Sequence, residues 1–511
     1  MVEQLPAIVV LAPMFASLVV ILVGLRWRSW CYPLTLAGLA ATLAAAVGLV
    51  GRVYREGVID YFMGGWETPL GIGIQLRVDA LNALVLVTIA TVALIVGVYS
   101  FRREVDVKAP AKTAPFYTLF LLLVTGLCGI TVTADAFNLF VLLEVTSLTS
   151  YGLIAMGSSK RGKLAAFNYV IMGTIGASFI LLGTGYLYIR TGTLNMVGIR
   201  EVIVAQDLYG STTIVVAFIL MMVGVFIKMA FFPLYGWLPN AYSYCPSTSS
   251  CILAPLMTKV SIYIMIRMML GIFGAEYVFQ EHATTIVVWL AVMAIVAGSL
   301  LALAQVELKK MLCYLIVAEV GYMVGGAWLA NHWGMVGALY HIVSDAIMTL
   351  CLFLGASILW SRLKARRIDD LSGAFRKMPW TMAGFVVGGL AMIGVPPTCG
   401  FFSKWFLIRG GMESGRWEYV VALLVSSLVN AVLFFRIFEI AYFGKKPAEG
   451  HDDSHGEESV ERVGAPWTST VALWVAAVLV VLVGVFNGEI AAFFARGLEG
   501  MAIVGSAGGG N

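Results

Sequence analysis

Charge is what this 511-residue sequence has least of: Asp, Glu, Lys and Arg together make up 12% of it, against 60% hydrophobic residues. A water-soluble domain needs about twice that charged share to cover its surface, so an aqueous globule is excluded. Cysteine is sparse and never paired in pattern. Cys31, Cys128, Cys245, Cys251, Cys313, Cys351 and Cys399 include no CxxC spacing, which excludes zinc or iron–sulfur centres built on cysteine. Single thiols buried in helices are expected instead. The N-terminus has Glu3 and no basic head, so the first apolar run reads as a retained span and not as a cleaved signal. The net charge of +4 sits in short loops and is no nucleic-acid signature. Motifs for flavin, haem, quinone or nucleotide are missing, and no resident cofactor or metal is expected.

What is abundant is uninterrupted apolar sequence, in stretches of about 20 residues that each suffice to cross about 30 Å of hydrocarbon. Helices satisfy the backbone in such a solvent, so an all-α polytopic membrane protein is expected. Apolar runs and polar breaks place about fourteen spans, near 6–25, 31–50, 79–100, 114–133, 135–156, 165–188, 212–232, 248–270, 284–305, 311–329, 335–358, 380–408, 418–443 and 468–494. The sizeable hydrophilic insert is 445–466, where Asp452, Asp453, Glu457, Glu458 and Glu461 crowd together.

Lysine and arginine counts in short loops set orientation. Arg26 and Arg28, then Arg102, Arg103, Lys108 and Lys112, then Lys160, Arg161 and Lys163 follow the first, third and fifth spans. Lys309 and Lys310, then Arg362, Lys364, Arg366 and Arg367, then Lys445 and Lys446 follow the ninth, eleventh and thirteenth. With fourteen spans all these loops share one side, the cytoplasm, and both termini are outside it. The opposite loops hold only scattered arginines such as Arg52, Arg77, Arg190 and Arg200.

Against this background a few ionisable residues stand inside spans: Glu144, Lys228, Lys259, Glu319, His341, Asp345 and Lys404. Each costs about 2.5–3.5 kcal/mol at the bilayer centre even on the forgiving insertion scale, and so needs a reason. Both signs occur, which permits pairing and shifted proton affinities. Prolines stand beside the lysines: Pro233 after Lys228, Pro255 before Lys259, and Pro396–Pro397 before Lys404. Interrupted helices next to buried charge are the pattern of ion or water access to the membrane interior. His341, Asp345 and Thr349 fall at i, i+4 and i+8 and stripe one helix face. The structural alternative is that a lone lysine snorkels or locks two helices, and that Glu319 or His341 is a packed polar residue.

The runs LLEVTSL, IKMAFFPLYGWLPNAY, TKVSIYIMIR, QVELKKMLCYLIVAEVGY, YHIVSDAIMTLCLFLGA and IGVPPTCGFFSKW, in order over roughly residues 70–440, resemble the antiporter-like membrane subunits of respiratory complex I. They look at least as similar to the D-type subunit of Mrp sodium/proton antiporters and to membrane subunits of energy-converting hydrogenases. The resemblance implies fourteen helices with two inverted five-helix repeats, helices 4–8 and 9–13, and with helices 7 and 12 broken at Pro233 and at Pro396–Pro397. The corresponding divisions are 1–113, 114–270 (first repeat), 284–443 (second repeat), the charged loop 444–467 and the final helix and tail 468–511. It also implies that Glu144 sets the charge of Lys228, that Lys259 bridges the halves to His341, and that Lys404 lies on the exit side.

Several positions depart from the commoner pattern. Asn240 and Tyr242 follow the WLP run where aspartate and histidine are common, and Asn168 precedes Tyr169 where a lysine is common. Asp345 and Thr349 stand where histidine is usually followed by lysine, so the path is either rewired through Glu319 and Asp345 or serves a different ion. Together these readings point to a subunit that moves protons or Na⁺ within a multisubunit membrane complex, any redox chemistry lying in partner chains. The alternatives are a self-sufficient cation/proton transporter, or a structural anchor, which has no use for five or more buried charges.

Overall fold

The computed structural model describes residues 3–66, 73–101, 110–444 and 462–499. Arg102, Arg103, Lys108, Lys445, Lys446 and the acidic insert through Glu461 lie outside the described residues.

Apolar sequence makes the helices, and short polar side chains start several of them. Asp135, Ser159, Asn195 and Asn331 each accept a hydrogen bond from the backbone N–H three residues on, which occupies a donor that the first helical turn leaves free. The helices up to the first interruption are α1 Leu5–Gly24, α2 Cys31–Glu56, α3 Ala83–Tyr99, α4 Thr113–Val132, α5 Ala136–Ala155, α6 Lys160–Thr191, α7 Met196–Ala205 and α8 Thr212–Lys228. After it come α9 Leu238–Tyr244, α10 Ser247–Met268, α11 Ala275–Val278, α12 Glu281–Leu303, α13 Leu308–Trp328, α14 His332–Leu363, α15 Ala374–Lys377 and α16 Pro379–Ile393. The last four are α17 Cys399–Glu413, α18 Trp417–Phe443, α19 Trp467–Val485 and α20 Asn487–Leu498.

Eleven of the described helices are long and apolar enough to cross a membrane, and α3, α8 and α16 are shorter apolar helices. The molecule is a polytopic helical membrane protein. Its centre is α10, α13 and α14, whose apolar stretches are almost wholly buried inside the protein, whereas α1, α2, α6, α12, α18 and α19 keep about half or more of theirs outward. Lys259, Glu319, His341 and Asp345 thus fall on helices that are enclosed by the rest of the protein.

Three expectations need correction. The helix does not break at Pro255: α10 runs through it, and neighbours enclose the segment, since all residues of α10 are buried. The last apolar stretch is not one span to residue 494. α19 stops at Val485, where Asn487 Nδ2 donates to Gly484 O at 2.8 Å, and a separate helix α20 then buries Ala491, Phe493, Phe494 and Leu498. Cys245 is buried as expected, but in the turn between α9 and α10 and not in a helix.

One end of the molecule also carries structure that hydropathy does not report. Strands β1 Ile59–Phe62 and β2 Gln75–Val78 form an antiparallel hairpin. Gln75 joins it to the start of α7 through Asn195 Nδ2 at 2.5 Å, and Leu76 bridges Thr133. Gly497 of α20 packs on Ala80 and Leu81, where a Cβ would meet backbone and side chain at 3.0–3.2 Å.

Candidate functional site: a buried line of ionisable groups

The helix α8 ends at Lys228, and regular helix resumes only at Leu238, with Pro233 in the gap. The carbonyl of Ile227, left over at that end, accepts from Trp237 Nε1 at 3.1 Å, which gives the tryptophan of the WLP run a physical job. Its ring stacks on Tyr169 with centroids 4.0 Å apart. The Lys228 ammonium turns inward, donating to Ser147 Oγ at 2.7 Å and lying 3.3 Å from Glu144 Oε1. Ser147 is one turn beyond Glu144 on α5, so one helix supplies both acceptors. A small cavity lined by Thr146, Ser147, Tyr169, Lys228 and Ser261 lies against this pair.

The two partners differ in exposure. Lys228 is 4% exposed, while the Glu144 side chain is 28% exposed, on the outward stripe of Phe137, Val141 and Leu148. A carboxylate on an outward, otherwise apolar face at this depth is costly against lipid.

The second interruption separates α16 from α17, with Pro396 and Pro397 between them. Here the lysine comes after the gap and reaches back across it. Lys404 Nζ donates to Met392 O at 2.7 Å and Ile393 O at 3.3 Å, neutralising carbonyls that a helix C-terminus leaves unsatisfied. Asn430 Nδ2 shares Met392 O at 3.1 Å. The ammonium also stands 5.4 Å over the Tyr322 ring.

Between the two interruptions α10, α13 and α14 bring four ionisable groups together. Lys259 Nζ is 2.8 Å from Asp345 Oδ2, at 1% and 0% side-chain exposure. Thr349 Oγ1 donates to Asp345 Oδ1 at 2.7 Å, and Lys259 reaches Thr349 at 3.5 Å and Ala254 O at 3.4 Å. His341 Nε2 lies 2.6 Å from Glu319 Oε2, both fully buried. Glu319 thus pairs with His341, and Asp345 with Lys259. Glu319, His341 and Asp345 each offer one donor atom within 4.8 Å of the others, a cation-ligand arrangement; the cation already beside it is the Lys259 ammonium. Taken alone, the Asp345–Lys259 contact is also what a purely structural role requires.

Of the positions where this chain departs from the commoner pattern, Tyr242 is buried edge-on against Trp237 at 5.8 Å. Asn168 is exposed on α6.

The sequence reading passed over one buried pair. Arg267 Nη1 of α10 contacts Asp79 Oδ2 at 2.5 Å, and Tyr263 donates to Thr131 O at 2.9 Å beside it. The signal was available: Arg267 ends the TKVSIYIMIR run inside an apolar span, and Asp79 begins another.

A helical membrane protein threaded by a line of buried, alternately signed side chains beside two interrupted helices is the transmembrane part of an ion-handling assembly. Residues 133–430 match the family described as NADH:quinone oxidoreductase/Mrp antiporter, TM, and the chain belongs to it. The chain is 39% identical to NADH-quinone oxidoreductase subunit N of Desulforudis audaxviator (strain MP104C), over 96% of this chain and 97% of that one. It is 29% identical to the D-type Na(+)/H(+) antiporter subunit of Bacillus subtilis (strain 168), over 83% and 86%. Among solved structures, a chain of an archaeal membrane-bound sulfane sulfur reductase superposes with a TM-score of 0.87 at 26% identity, covering 98% of this chain and all of that one.

Proposed function

We propose that this chain carries protons, or Na⁺ in exchange for protons, across a cell membrane as one subunit of a multisubunit complex of the complex I or Mrp type. The observation that carries the proposal is the line itself: Glu144–Lys228, Lys259–Asp345, His341–Glu319 and Lys404 all sit on spanning or interrupted helices, and every one of them except Glu144 is buried. Paired charges of this kind are costly to bury and serve relays in membranes. In the working cycle the Lys228 ammonium alternates between Glu144 and the interior. When Glu144 leaves, the ammonium loses its counter-charge at a depth where an unpaired charge is costly. Asp345 and Glu319 then hold the charge in the second half, and Lys404 is the last cation of the line.

The same reading includes fourteen crossings, α8–α9 and α16–α17 each counted as one interrupted helix, and two inverted repeats at 114–270 and 284–443. The basic loops, among them Lys160–Lys163 and Arg362–Arg367, lie in the cytoplasm and both termini outside it. Subunit status, in preference to a stand-alone transporter, is favoured by Glu144. Its partly exposed carboxylate on an apolar stripe calls for a polar or cationic group from a neighbouring membrane subunit.

The test is Lys228→Ala in the assembled complex, with ion uptake followed in vesicles. Transport should fall to background while the complex inserts and assembles. Wild-type transport per assembled complex would end the proposal.

A further inference from the structure

Two cross-helix contacts fix how α10 and α14 face one another. Cys251 Sγ meets Ser357 Oγ at 3.5 Å, and Lys259 Nζ meets Thr349 Oγ1 at 3.5 Å. The helices are antiparallel, and the two contacts are the same number of residues apart on each, so the register between them is constant. Midway on α10 is Pro255 and midway on α14 is Phe353, each four residues from both polar rungs. Four residues amount to about 6 Å of rise and about 40° beyond a full turn. Pro255 and Phe353 therefore face each other between the rungs in both height and bearing.

Above the first rung, on the side of the basic loops, is a cavity of about 200 Å³ whose walls include Ser159, Tyr244, Ser247, Lys309, Trp360 and Arg366. Lys309 Nζ donates from that wall to Ser247 Oγ at 3.2 Å and Ser250 Oγ at 3.3 Å, extending polar groups a turn below the cavity. Beneath the second rung is the Lys259–Asp345 pair. Polar chemistry therefore approaches from both directions and is interrupted by one apolar layer. Proline there brings no N–H, and Phe353 is 1% exposed.

We infer that Phe353, against Pro255, is the barrier between the basic-side cavity and the Lys259–Asp345 pair, and that its ring must move for a proton or small cation to pass. The inference rests on the transport reading for its purpose and on the α10–α14 register for its geometry. A constriction of apolar side chains blocks ions by excluding water and needs only a small displacement to wet. The Lys259 ammonium leans back along its helix to Ala254 O at 3.4 Å, so it already points at the barrier.

The test reads access and not ion flux, so it fails separately from the transport proposal. In the complete complex, with the seven native cysteines replaced, single cysteines from Ser357→Cys and Thr349→Cys are exposed to Ag⁺ on the basic-loop side. With Phe353 in place, Ser357→Cys should react about ten-fold faster or more, because water reaches only the first rung. Adding Phe353→Ala should raise the Thr349→Cys rate by about ten-fold and leave Ser357→Cys unchanged, whereas Phe353→Leu keeps the parent rates. Equal rates at the two cysteines with Phe353 present would overturn the inference, and so would a Thr349→Cys rate that Phe353→Ala does not change. Should Phe353→Ala fail to assemble, the two parent rates decide alone.

Discussion

Lys228 and Lys404 each stand beside an interrupted helix, yet the two halves satisfy them in opposite ways. Lys228 closes the helix before its gap and leans on a carboxylate that is 28% exposed at the edge of the protein. Lys404 stands after its gap and leans on two backbone carbonyls in the interior. The carboxylates of the second half, Glu319 and Asp345, are fully buried and committed to His341 and Lys259. A pair with one member at the edge can separate when a neighbour offers another partner. Sealed pairs exchange protons only with each other until a barrier beside them opens. The first half is built to sense its surroundings and the second to hold charge.

The comparison is sharpest in a pair of carboxylate variants. Asp345→Asn strands a fully buried ammonium and should cost about 3–5 kcal/mol of stability. Glu144→Gln leaves Lys228 with Ser147 and with an amide oxygen that still accepts, and should cost less, about 1–2 kcal/mol. Thermal unfolding of the purified complexes measures both, and equal losses would erase the distinction. Transport per assembled complex separates roles from stability: it should be lost in both variants. Full specific activity in Asp345→Asn would reduce that residue to a strut.

Replacing the lysines probes the same contrast at a smaller scale. Lys404→Met leaves the Ile393 carbonyl without its donor while Asn430 keeps Met392 O, a loss of about 1–3 kcal/mol. Lys228→Met frees a carboxylate that can turn outward, so the unfolding midpoint should move less. A larger shift for Lys228→Met would mean that Glu144 is locked in place.

The smallest effect is expected for Thr349→Ala. It removes one hydrogen bond to Asp345 Oδ1, worth about 1 kcal/mol, while Lys259 still holds the other oxygen. Transport should persist at a reduced rate. If Thr349→Ala were as damaging as Asp345→Asn, the hydroxyl would be part of the path and not a support for it.

Much of this was legible beforehand. A span of apolar residues with one charge in it announces both a helix and a problem, and that is how Glu144, Lys228, Lys259, Glu319, His341, Asp345 and Lys404 stand out in the sequence. The prolines at 233, 396 and 397 stand in the gaps between helices. Pro255, which is chemically no different, lies inside an unbroken one. A helix completely surrounded by protein can tolerate one missing donor, whereas at the ends of α8 and α16 the freed carbonyls are met by Trp237 in the first case and by Lys404 and Asn430 in the second.

The sequence by itself determined the solvent, the helical class and the residues at issue, because each follows from the cost of placing a single residue in hydrocarbon. Which charge meets which was decided only by the tertiary structure. Asp345 and Glu319 are equally plausible partners for His341 along the chain. Only the packing of α10, α13 and α14 gives Asp345 to Lys259 and Glu319 to His341, and it likewise brings Asp79 of α3's leading turn to Arg267. Pairing energy depends on separations of a few ångströms between residues far apart in sequence, and no periodicity within one helix encodes that distance.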